Sequence, residues 1–164
     1  EIHQRLVRPA IEQILDAAHY SIIERFQGYR DAVMEAGLPV WDLHPTGRLR
    51  HDQSLPEVQR ALDAPDRPTA VVCYSEATAL QFVHAAGCRG LRIPRDLSVI
   101  SFGEGQRGEL GVKVDCLAHG WRQVGERAAE MVLQKSDDPA SALTSEALPF
   151  TYEAGDSVAP PASP

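Results

Sequence analysis

Three apolar runs of the sequence are each followed by polar side chains that could act in catalysis or bind a ligand. Ser75 and Glu76 come after the first run, Glu104 follows the second, and His119 follows the third. Carboxylates and imidazoles are common general acids and bases in enzymes. No base can be identified for a nucleophilic Ser75, so capping of the next helix is the simpler interpretation of this serine.

The glycine-rich segment 103–108 has the GxGxxG spacing of dinucleotide-binding loops. Such loops open a helix whose N-terminus holds a pyrophosphate. The residues after Gly108 lack helical periodicity and continue into another apolar run, so a flexible connecting loop is favoured and no cofactor is expected. GxxxxGK[ST], GxSxG and HExxH strings do not occur in the sequence.

A metal site or a disulfide is not expected. Four neighbouring side chains have types that ligate metals: Asp42, His44, His51 and Asp52. Solvated loop positions explain them more simply. Three cysteines are widely spaced along the chain: Cys73, Cys88 and Cys116. Their odd number favours small apolar side chains in a reducing compartment.

Apolar runs alternate with segments of helical periodicity along the chain. The predicted strands are 38–43, 69–73, 97–102, 112–117 and 148–152, and the predicted helices are 9–19, 21–36, 54–62, 76–86 and 121–134. This alternation predicts a doubly wound, mostly parallel α/β sheet flanked by helices. Ligands of such sheets bind beyond the carboxyl ends of the strands.

The composition is that of a globular domain with an acidic surface. The chain has 164 residues, of which 43% are hydrophobic and 24% charged, and its formal charge is −7 at pH 7. This length is enough for one domain with a hydrophobic core. The acidic balance argues against direct binding of nucleic acid. No apolar run of about 18 residues is present, so a membrane span is not expected.

Four strings, in chain order, resemble the effector domain of the lactose-repressor/galactose-repressor (LacI/GalR) family of bacterial transcription regulators. The strings are ERFQGYRDA at 24–32, PTAVVCYSEATA at 68–79, GLRIPRDLSVISF at 90–102, and the segment 121–133. Together they cover about residues 8–157 with compatible spacing. The resemblance implies a fold like that of periplasmic sugar-binding proteins, in which two α/β subdomains close over a small molecule.

The resemblance also implies a regulator that is larger than this sequence. We interpret residues 1–157 as its effector-binding and dimerisation domain, mainly the C-terminal subdomain, and residues 158–164 as a flexible tail. DNA would be bound only through an upstream helix-turn-helix, which this sequence lacks together with most of the N-terminal subdomain. The expected protein is a cytoplasmic, homodimeric repressor that binds a sugar-like effector and catalyses no reaction.

Six side chains are expected to contact the effector on the basis of this resemblance: Arg25, Arg48, Ser75, Glu76, Glu104 and His119. Arg25 matches an arginine that grips ligand hydroxyls or a carboxylate, for which its planar set of donors is suited. The alternatives are a surface arginine paired with Glu24, a helix cap for Ser75 and an exposed hinge residue for His119. Gly103-Glu104 replaces the acid pair of the family, so the usual hydroxyl acceptor is absent or shifted to Glu104, which disfavours a plain hexose.

One helix is expected at the dimer interface, because the family places the segment 77–86 there. Its interface residues are taken to be Ala79, Phe82, Val83 and Ala86. Burial within the subdomain is the alternative explanation for these apolar positions. The segment 121–134 packs on the N-terminal subdomain in the family, so its apolar stripe should be largely exposed here.

A local departure from the family pattern lies near the start of the chain. The family has a strand and a glycine-rich loop between the helix that ends near His19 and the helix that begins near Ser21, and only Tyr20 stands between them here. We favour residues missing from the sequence, because loss of an interior strand would expose apolar faces on both neighbours.

Two other classes of function remain open from the sequence. The first is a secreted solute-binding protein of a transporter, which should act as a monomer; the three cysteines argue against it. The second is a small α/β enzyme that uses Glu76, Glu104 or His119 as its acid or base. Turnover of a ligand would distinguish an enzyme from a regulator that only binds.

Overall fold

The computed structural model describes residues 20–41, 55–104, 111–142 and 144–160. Within these residues the chain forms, in order, α1 (Tyr20–Glu35), α2 (Leu55–Asp63), β1 (Ala70–Cys73), α3 (Glu76–Cys88), β2 (Ser98–Gly103), β3 (Asp115–Ala118), α4 (Trp121–Asp137) and β4 (Thr151–Glu153). The predicted helix 9–19 lies outside the described residues.

The four strands form one sheet in the order β1-β2-β3-β4. β1, β2 and β3 are parallel, and β4 pairs antiparallel with β3. The mostly parallel α/β architecture predicted from the sequence is therefore confirmed. Because β1, β2 and β3 point the same way, the residues that follow them meet at one edge of the sheet.

The hydrophobic core lies between the sheet and α3, and α2 packs against α3. Leu97, Val99 and Val114 are fully buried at its centre. α2 has its buried residues at helical spacing, Val58, Ala61 and Leu62. Burial of each large side chain stabilises the fold by about 1.5–3 kcal/mol. The core between the helices and the sheet therefore fixes the positions of the strands and of their ends.

The apolar positions of α3 that were expected at a dimer interface are all buried inside this core: Ala79, Phe82, Val83 and Ala86. α3 is covered on two sides, by the sheet and by α2, which is why it carries more apolar surface than one buried stripe needs. The core of a single chain accounts for all four side chains. Dimerisation through α3 stays a prediction, and it would have to use exposed residues of the helix such as Ala77, His84 and Cys88.

Glycines in the left-handed conformation end two of the helices. α1 stops at Gly37, whose φ is 68°, as the sequence predicts. α3 was predicted to end at Gly87, and this was wrong, because the helix continues to Cys88. Its terminating glycine is Gly90 (φ 70°), after which the N–H of Leu91 donates to the carbonyl of Ala86 at 3.0 Å.

Three strand predictions need correction. Residues 38–41 of the strand predicted at 38–43 are irregular, and the remainder lies outside the described residues. The other two strands begin about three residues later than predicted, β3 at Asp115 and β4 at Thr151. Both corrections concern boundaries, which apolar patterning specifies less well than the existence of an element.

β1 is less covered than its continuous apolar sequence predicts. Val72 is 50% exposed, whereas Cys73 is buried. The helices α2 and α3 cover only the Cys73 face of the sheet, and β1 is the outermost of the described strands. The missing interior strand inferred from the sequence stays a prediction.

A buried carboxylate fastens the C-terminal segment to the sheet. Asp115 of β3 is buried and accepts hydrogen bonds from the Tyr152 hydroxyl and from the backbone N–H of Ser157, the latter at 2.9 Å. The Ser157 hydroxyl lies 3.0 Å from the same carboxylate. Further along, the N–H of Ala159 donates to Ser98 Oγ at 3.1 Å. The division between residues 1–157 and the tail 158–164 stays a prediction.

We expect the stability of the protein to fall in acid because of Asp115. Burial alone would raise the pKa of Asp115, but hydrogen bonds from Tyr152, Gly155 and Ser157 outweigh it and lower the pKa. An unfolded aspartate has a pKa of about 3.9. The stabilisation is therefore present above about pH 4 and is lost as the pH falls through the lower pKa of the folded state. Urea unfolding at neutral and acid pH measures it, and the loss should be smaller in Asp115→Asn; an equal loss in both proteins would contradict the assignment.

Candidate functional site

Side chains from α1 and from the ends of all four strands meet at the carboxyl edge of β1, β2 and β3. Arg25 comes from α1, Tyr74 follows β1, and Phe102 lies near the end of β2. His119 follows β3, and Phe150 precedes the antiparallel β4. The sequence placed Arg25 and His119 in a common ligand site, and the structure brings them into direct contact.

The guanidinium of Arg25 is the centre of this cluster. Its Cζ lies 4.6 Å from the ring centroid of Tyr74, 4.5 Å from that of Phe102 and 5.7 Å from that of Phe150. Aromatic faces attract a cation through their quadrupole. The rings therefore hold the guanidinium in place without themselves neutralising its charge.

Two hydrogen bonds fix the plane of this guanidinium. Arg25 Nη1 donates to the backbone oxygen of Tyr74 at 3.3 Å, and Nη2 lies 2.9 Å from His119 Nε2. Among the described residues, no carboxylate lies within salt-bridge distance of Arg25, whose side chain is half-buried. The alternative of a surface pair with Glu24 is therefore not observed. A half-buried and unneutralised cation is an attractive place for an acceptor or an anion.

The imidazole of His119 accepts the hydrogen bond from Arg25. A guanidinium can only donate, so Nε2 must be unprotonated and Nδ1 must carry the hydrogen. Nδ1 is buried and has no hydrogen-bond partner in the described part of the chain. The ring stacks on Trp121, with centroids 4.8 Å apart and planes at 10°, and meets Phe150 edge-on at 5.2 Å.

Ser75 acts as the N-cap of α3. Its Oγ accepts from the backbone N–H of Thr78 at 3.4 Å and lies 3.2 Å from the Thr78 hydroxyl. This is the capping role that the sequence left as an alternative to ligand contact. Contact of Ser75 with an effector stays a prediction.

Glu76 and Glu104 are brought together at the same edge of the sheet. Glu76 Oε1 accepts from the backbone N–H of Glu104 at 2.7 Å, and Glu104 itself is exposed. A Cβ on Gly103 would lie 2.4 Å from Glu76 Cγ. The glycine that replaces the acid of the family thus makes room for the carboxylate of Glu76. Arg48 lies outside the described residues.

We expect Gly103→Ala to destabilise the protein by about 1 kcal/mol, because the new methyl group displaces Glu76 and breaks its bond to Glu104. In a Glu76→Ala background the same substitution should be neutral or slightly stabilising, since the obstruction is gone. A double-mutant cycle from urea unfolding measures the coupling. Additive effects of the two substitutions would show that Gly103 and Glu76 do not interact.

Four aromatic residues of the site were not among the predicted effector contacts: Tyr74, Phe102, Trp121 and Phe150. The first three each lie at or just beyond the end of a parallel strand, so their position was a usable signal. Phe150 gave no such signal. It reaches the site because β4 runs antiparallel to β3, a pairing that the apolar pattern does not encode.

Within the described ranges, no group of three or more histidine, cysteine, aspartate or glutamate side chains is arranged to hold a metal ion. The four loop residues considered for a metal lie outside those ranges. None of the helices described is both long and apolar enough to cross a membrane.

Residues 10–158 match the family described as the periplasmic binding protein-like domain. The chain belongs to this family. The Arg25 cluster lies at the carboxyl ends of the parallel strands, where ligands of open α/β sheets bind.

Curated relatives of this periplasmic binding protein-like domain include bacterial repressors. The HTH-type transcriptional repressor PurR of Vibrio cholerae is 32% identical over 119 residues, which are 70% of this chain and 35% of that protein. The HTH-type transcriptional repressor CytR of Escherichia coli is 34% identical over 101 residues, 61% of this chain and 28% of that protein. The chain thus spans about a third of the length of these relatives.

Solved structures with the same periplasmic binding protein-like fold include a LacI family regulator from Bifidobacterium animalis, at 25% identity and a TM-score of 0.73, covering 85% of this chain and 51% of that one. The regulator CelR, in complex with cellobiose, has a TM-score of 0.69 at 19% identity and covers 90% and 50% of the two chains. The resemblance to the LacI/GalR family is confirmed by these findings.

Proposed function

We propose that this chain is the effector-binding part of a bacterial transcription regulator of the LacI/GalR type. The observation that carries the proposal is the guanidinium of Arg25, which lies among strand-end rings with no ion-pair partner among the described residues, at the edge where ligands of α/β sheets bind. The naming of PurR and CytR as HTH-type repressors supports the regulatory role.

The proposed regulation depends on an effector domain that is built from two subdomains joined by a hinge. An effector that contacts Arg25 and a second subdomain binds the closed form better, and so shifts the balance between open and closed forms. In a homodimer this shift is relayed to helix-turn-helix heads upstream, which make the contact with DNA. The protein acts in the cytoplasm and releases its effector unchanged.

The effector of this proposal is a small, sugar-like molecule. One neighbour in structure carries cellobiose and another, a LacI family regulator from Enterococcus faecium with a TM-score of 0.67 at 20% identity, carries ribose. In the present chain, Arg25 supplies donors, and the carboxylates of Glu76 and Glu104 supply acceptors, for the hydroxyls of such a ligand.

We expect Arg25→Ala to weaken effector binding by about 10- to 100-fold, the effect of losing a charge-assisted hydrogen bond. Arg30→Ala is the matched control, because Arg30 lies on the same helix but pairs with Asp31 in solvent. A thermal-shift screen of sugars and small metabolites identifies ligands, and calorimetry then compares the variants. Equal loss in both variants would remove Arg25 from the site.

The same screen discriminates between the regulator and an enzyme. Each ligand that raises the melting temperature is incubated with the protein and then analysed by mass spectrometry. A regulator returns the ligand unchanged. Conversion that disappears in Glu76→Gln, Glu104→Gln or His119→Gln would establish the enzyme instead.

A further inference from the structure

We propose that a cavity at the amino edge of the sheet binds a phosphate group, as the free ion or as part of a small phosphorylated metabolite. The cavity has a volume of about 190 Å³ and is lined by Arg67, Thr69, Ala70, Pro94, Arg95, Asp96, Ser98 and Ala159. It lies where β1 and β2 begin, whereas the Arg25 cluster lies where they end. The inference therefore concerns a second site and does not depend on the proposed effector-binding function.

The guanidinium of Arg67, which is half-buried, is the first argument. Its Nη1 donates to the backbone oxygen of Asp96 at 2.9 Å and to that of Pro68 at 3.5 Å. These bonds fix the guanidinium and leave the edge formed by Nε and Nη2 without a hydrogen-bond partner among the described residues. No described carboxylate lies within salt-bridge distance of Arg67. An edge with two parallel N–H groups is the one through which an arginine binds an oxyanion by two hydrogen bonds.

The charge of the lining is the second argument. Arg95 is a second cation, and Asp96 supplies a carboxylate. This carboxylate is engaged within its own turn, because Oδ2 accepts from the backbone N–H of Arg92 at 2.9 Å and Oδ1 lies 3.6 Å from Nε of Arg95. The lining of the cavity is thus positive, although the whole chain has a formal charge of −7. A concave site lined by charges of one sign concentrates ions of the opposite sign, here anions.

Two further donors at the start of β1 are the third argument. Thr69 lines the cavity and is exposed, and its hydroxyl has no hydrogen-bond partner among the described residues. The N–H of Ser98 donates to the carbonyl of Thr69 at 2.8 Å in the parallel pairing of β1 with β2. The N–H of Ala70 therefore points away from β2 and is not used by the sheet. A side-chain hydroxyl and a backbone N–H thus accompany the arginine edge.

The number of these donors and the size of the cavity define the ligand class. A phosphate group presents three strong acceptor oxygens, whereas a carboxylate presents two. The edge of Arg67, the hydroxyl of Thr69 and the N–H of Ala70 provide donors for three oxygens. The volume of about 190 Å³ is smaller than the roughly 300–1,000 Å³ of pockets that hold drug-sized ligands. The expected ligand is therefore a phosphate group with a small substituent or with none.

The C-terminal segment provides a reporter of binding at this cavity. Ala159 lines the cavity, and its N–H donates to Ser98 Oγ at 3.1 Å, while the same hydroxyl donates to the carbonyl of Ala159 at 3.0 Å. A ligand in the cavity contacts this segment and the starts of β1 and β2 together. Because a ligand stabilises the form that binds it, local opening becomes rarer. Binding should therefore slow hydrogen exchange of the Ala159 amide.

The experiment titrates the full chain with four probes at constant ionic strength, so that general screening by salt stays the same. The probes are inorganic phosphate, glycerol phosphate, acetate and glycerol. Calorimetry gives the affinities, and hydrogen exchange reports the Ala159 amide. Phosphate or glycerol phosphate should bind and slow this exchange, and acetate and glycerol should do neither. Tighter binding of glycerol phosphate identifies a phosphorylated metabolite as the ligand, and equal or tighter binding of inorganic phosphate identifies the free ion.

Variants assign the binding to residues of the cavity. Arg67→Gln should weaken phosphate binding by about 10- to 100-fold, the effect of losing hydrogen bonds between charged groups. Thr69→Val should weaken it by about 2- to 10-fold and leaves the bond of Arg67 to Asp96 intact, so it tests the site even if Arg67→Gln is unstable. Arg92→Gln is the matched control, because it removes the same charge from an exposed residue of the same segment that does not line the cavity. It should bind phosphate as the parent does.

Four results would overturn the inference. Failure of both phosphates to bind at millimolar concentration would remove the site, and equal affinity in the parent, Arg67→Gln and Thr69→Val would place any binding outside the cavity. Acetate that binds as tightly as the phosphates would remove the phosphate class. Loss of phosphate binding in Arg25→Ala, which should have no effect, would move the anion to the opposite edge of the sheet. None of these results bears on sugar binding at Arg25, so the proposed function is tested separately.

Discussion

Phe82→Ala is expected to lower the free energy of unfolding by about 3–5 kcal/mol, the range for large aromatic side chains removed from a packed core. Phe82 is 3% exposed and belongs to the cluster that joins α3, α2 and the sheet. The cavity left by its ring is bounded by two layers that are held in place by other contacts, so collapse to fill it is limited. Urea denaturation followed by circular dichroism measures the change.

The matched control for Phe82 is Val132→Ala on α4. Val132 is 68% exposed, and α4 has no buried residue in the structure, so we expect a change within about 0.5 kcal/mol. If Phe82→Ala were as mild as the control, α3 would not lie in the core of the monomer. Its apolar residues would then be available for the dimer contact predicted from the sequence.

Asp115→Ala is expected to cost about 3 kcal/mol, because hydrogen bonds to a charged group are worth about 1.5–3 kcal/mol and the buried N–H of Ser157 is left without an acceptor. The hydroxyl of Tyr152 also loses its bond to the carboxylate, whereas the hydroxyl of Ser157 keeps the carbonyl of Val99 as acceptor. β4 and the segment after it should detach from β3. Hydrogen exchange of the Ser157 amide reports this directly.

Asp137→Ala serves as the control for Asp115, because Asp137 is exposed at the end of α4. We expect it to change the stability by less than about 0.5 kcal/mol. A large loss from Asp115→Ala with the Ser157 amide still protected would mean that Asp115 stabilises β3 and not the C-terminal segment.

The architecture could be predicted from the sequence because apolar patterning, helical periodicity and helix-terminating glycines agree with the observed elements. The apolar run that ends at Cys73, the stop of α1 at Gly37 and the periodicity of α2 all led to elements that the structure confirms. The strand ends also predicted the edge of the sheet at which a ligand would bind. Arg25 and His119 were assigned to one site from the family resemblance, and the structure brings the two side chains into contact. Contact of either side chain with a ligand stays a prediction.

Pairings between distant segments were not predictable in the same way. The direction of β4 depends on the hydrogen bonds of Asp115 with Ser157, which are 42 positions apart and leave no periodic signal. The carboxylate of Glu76 occupies the space at Gly103 only because the helix start and the strand end converge. The burial of α3 on two sides, likewise, depends on where α2 packs and not on the pattern of α3 alone.

The position of Arg25 has a mechanical consequence. One guanidinium touches residues that belong to the ends of β1, β2, β3 and β4, while its backbone belongs to α1. A small molecule bound to this guanidinium would therefore act on α1 and on the ends of all four strands at the same time. Under the proposed function, binding would then change the stiffness of this edge of the sheet as a whole, with no element required to move far.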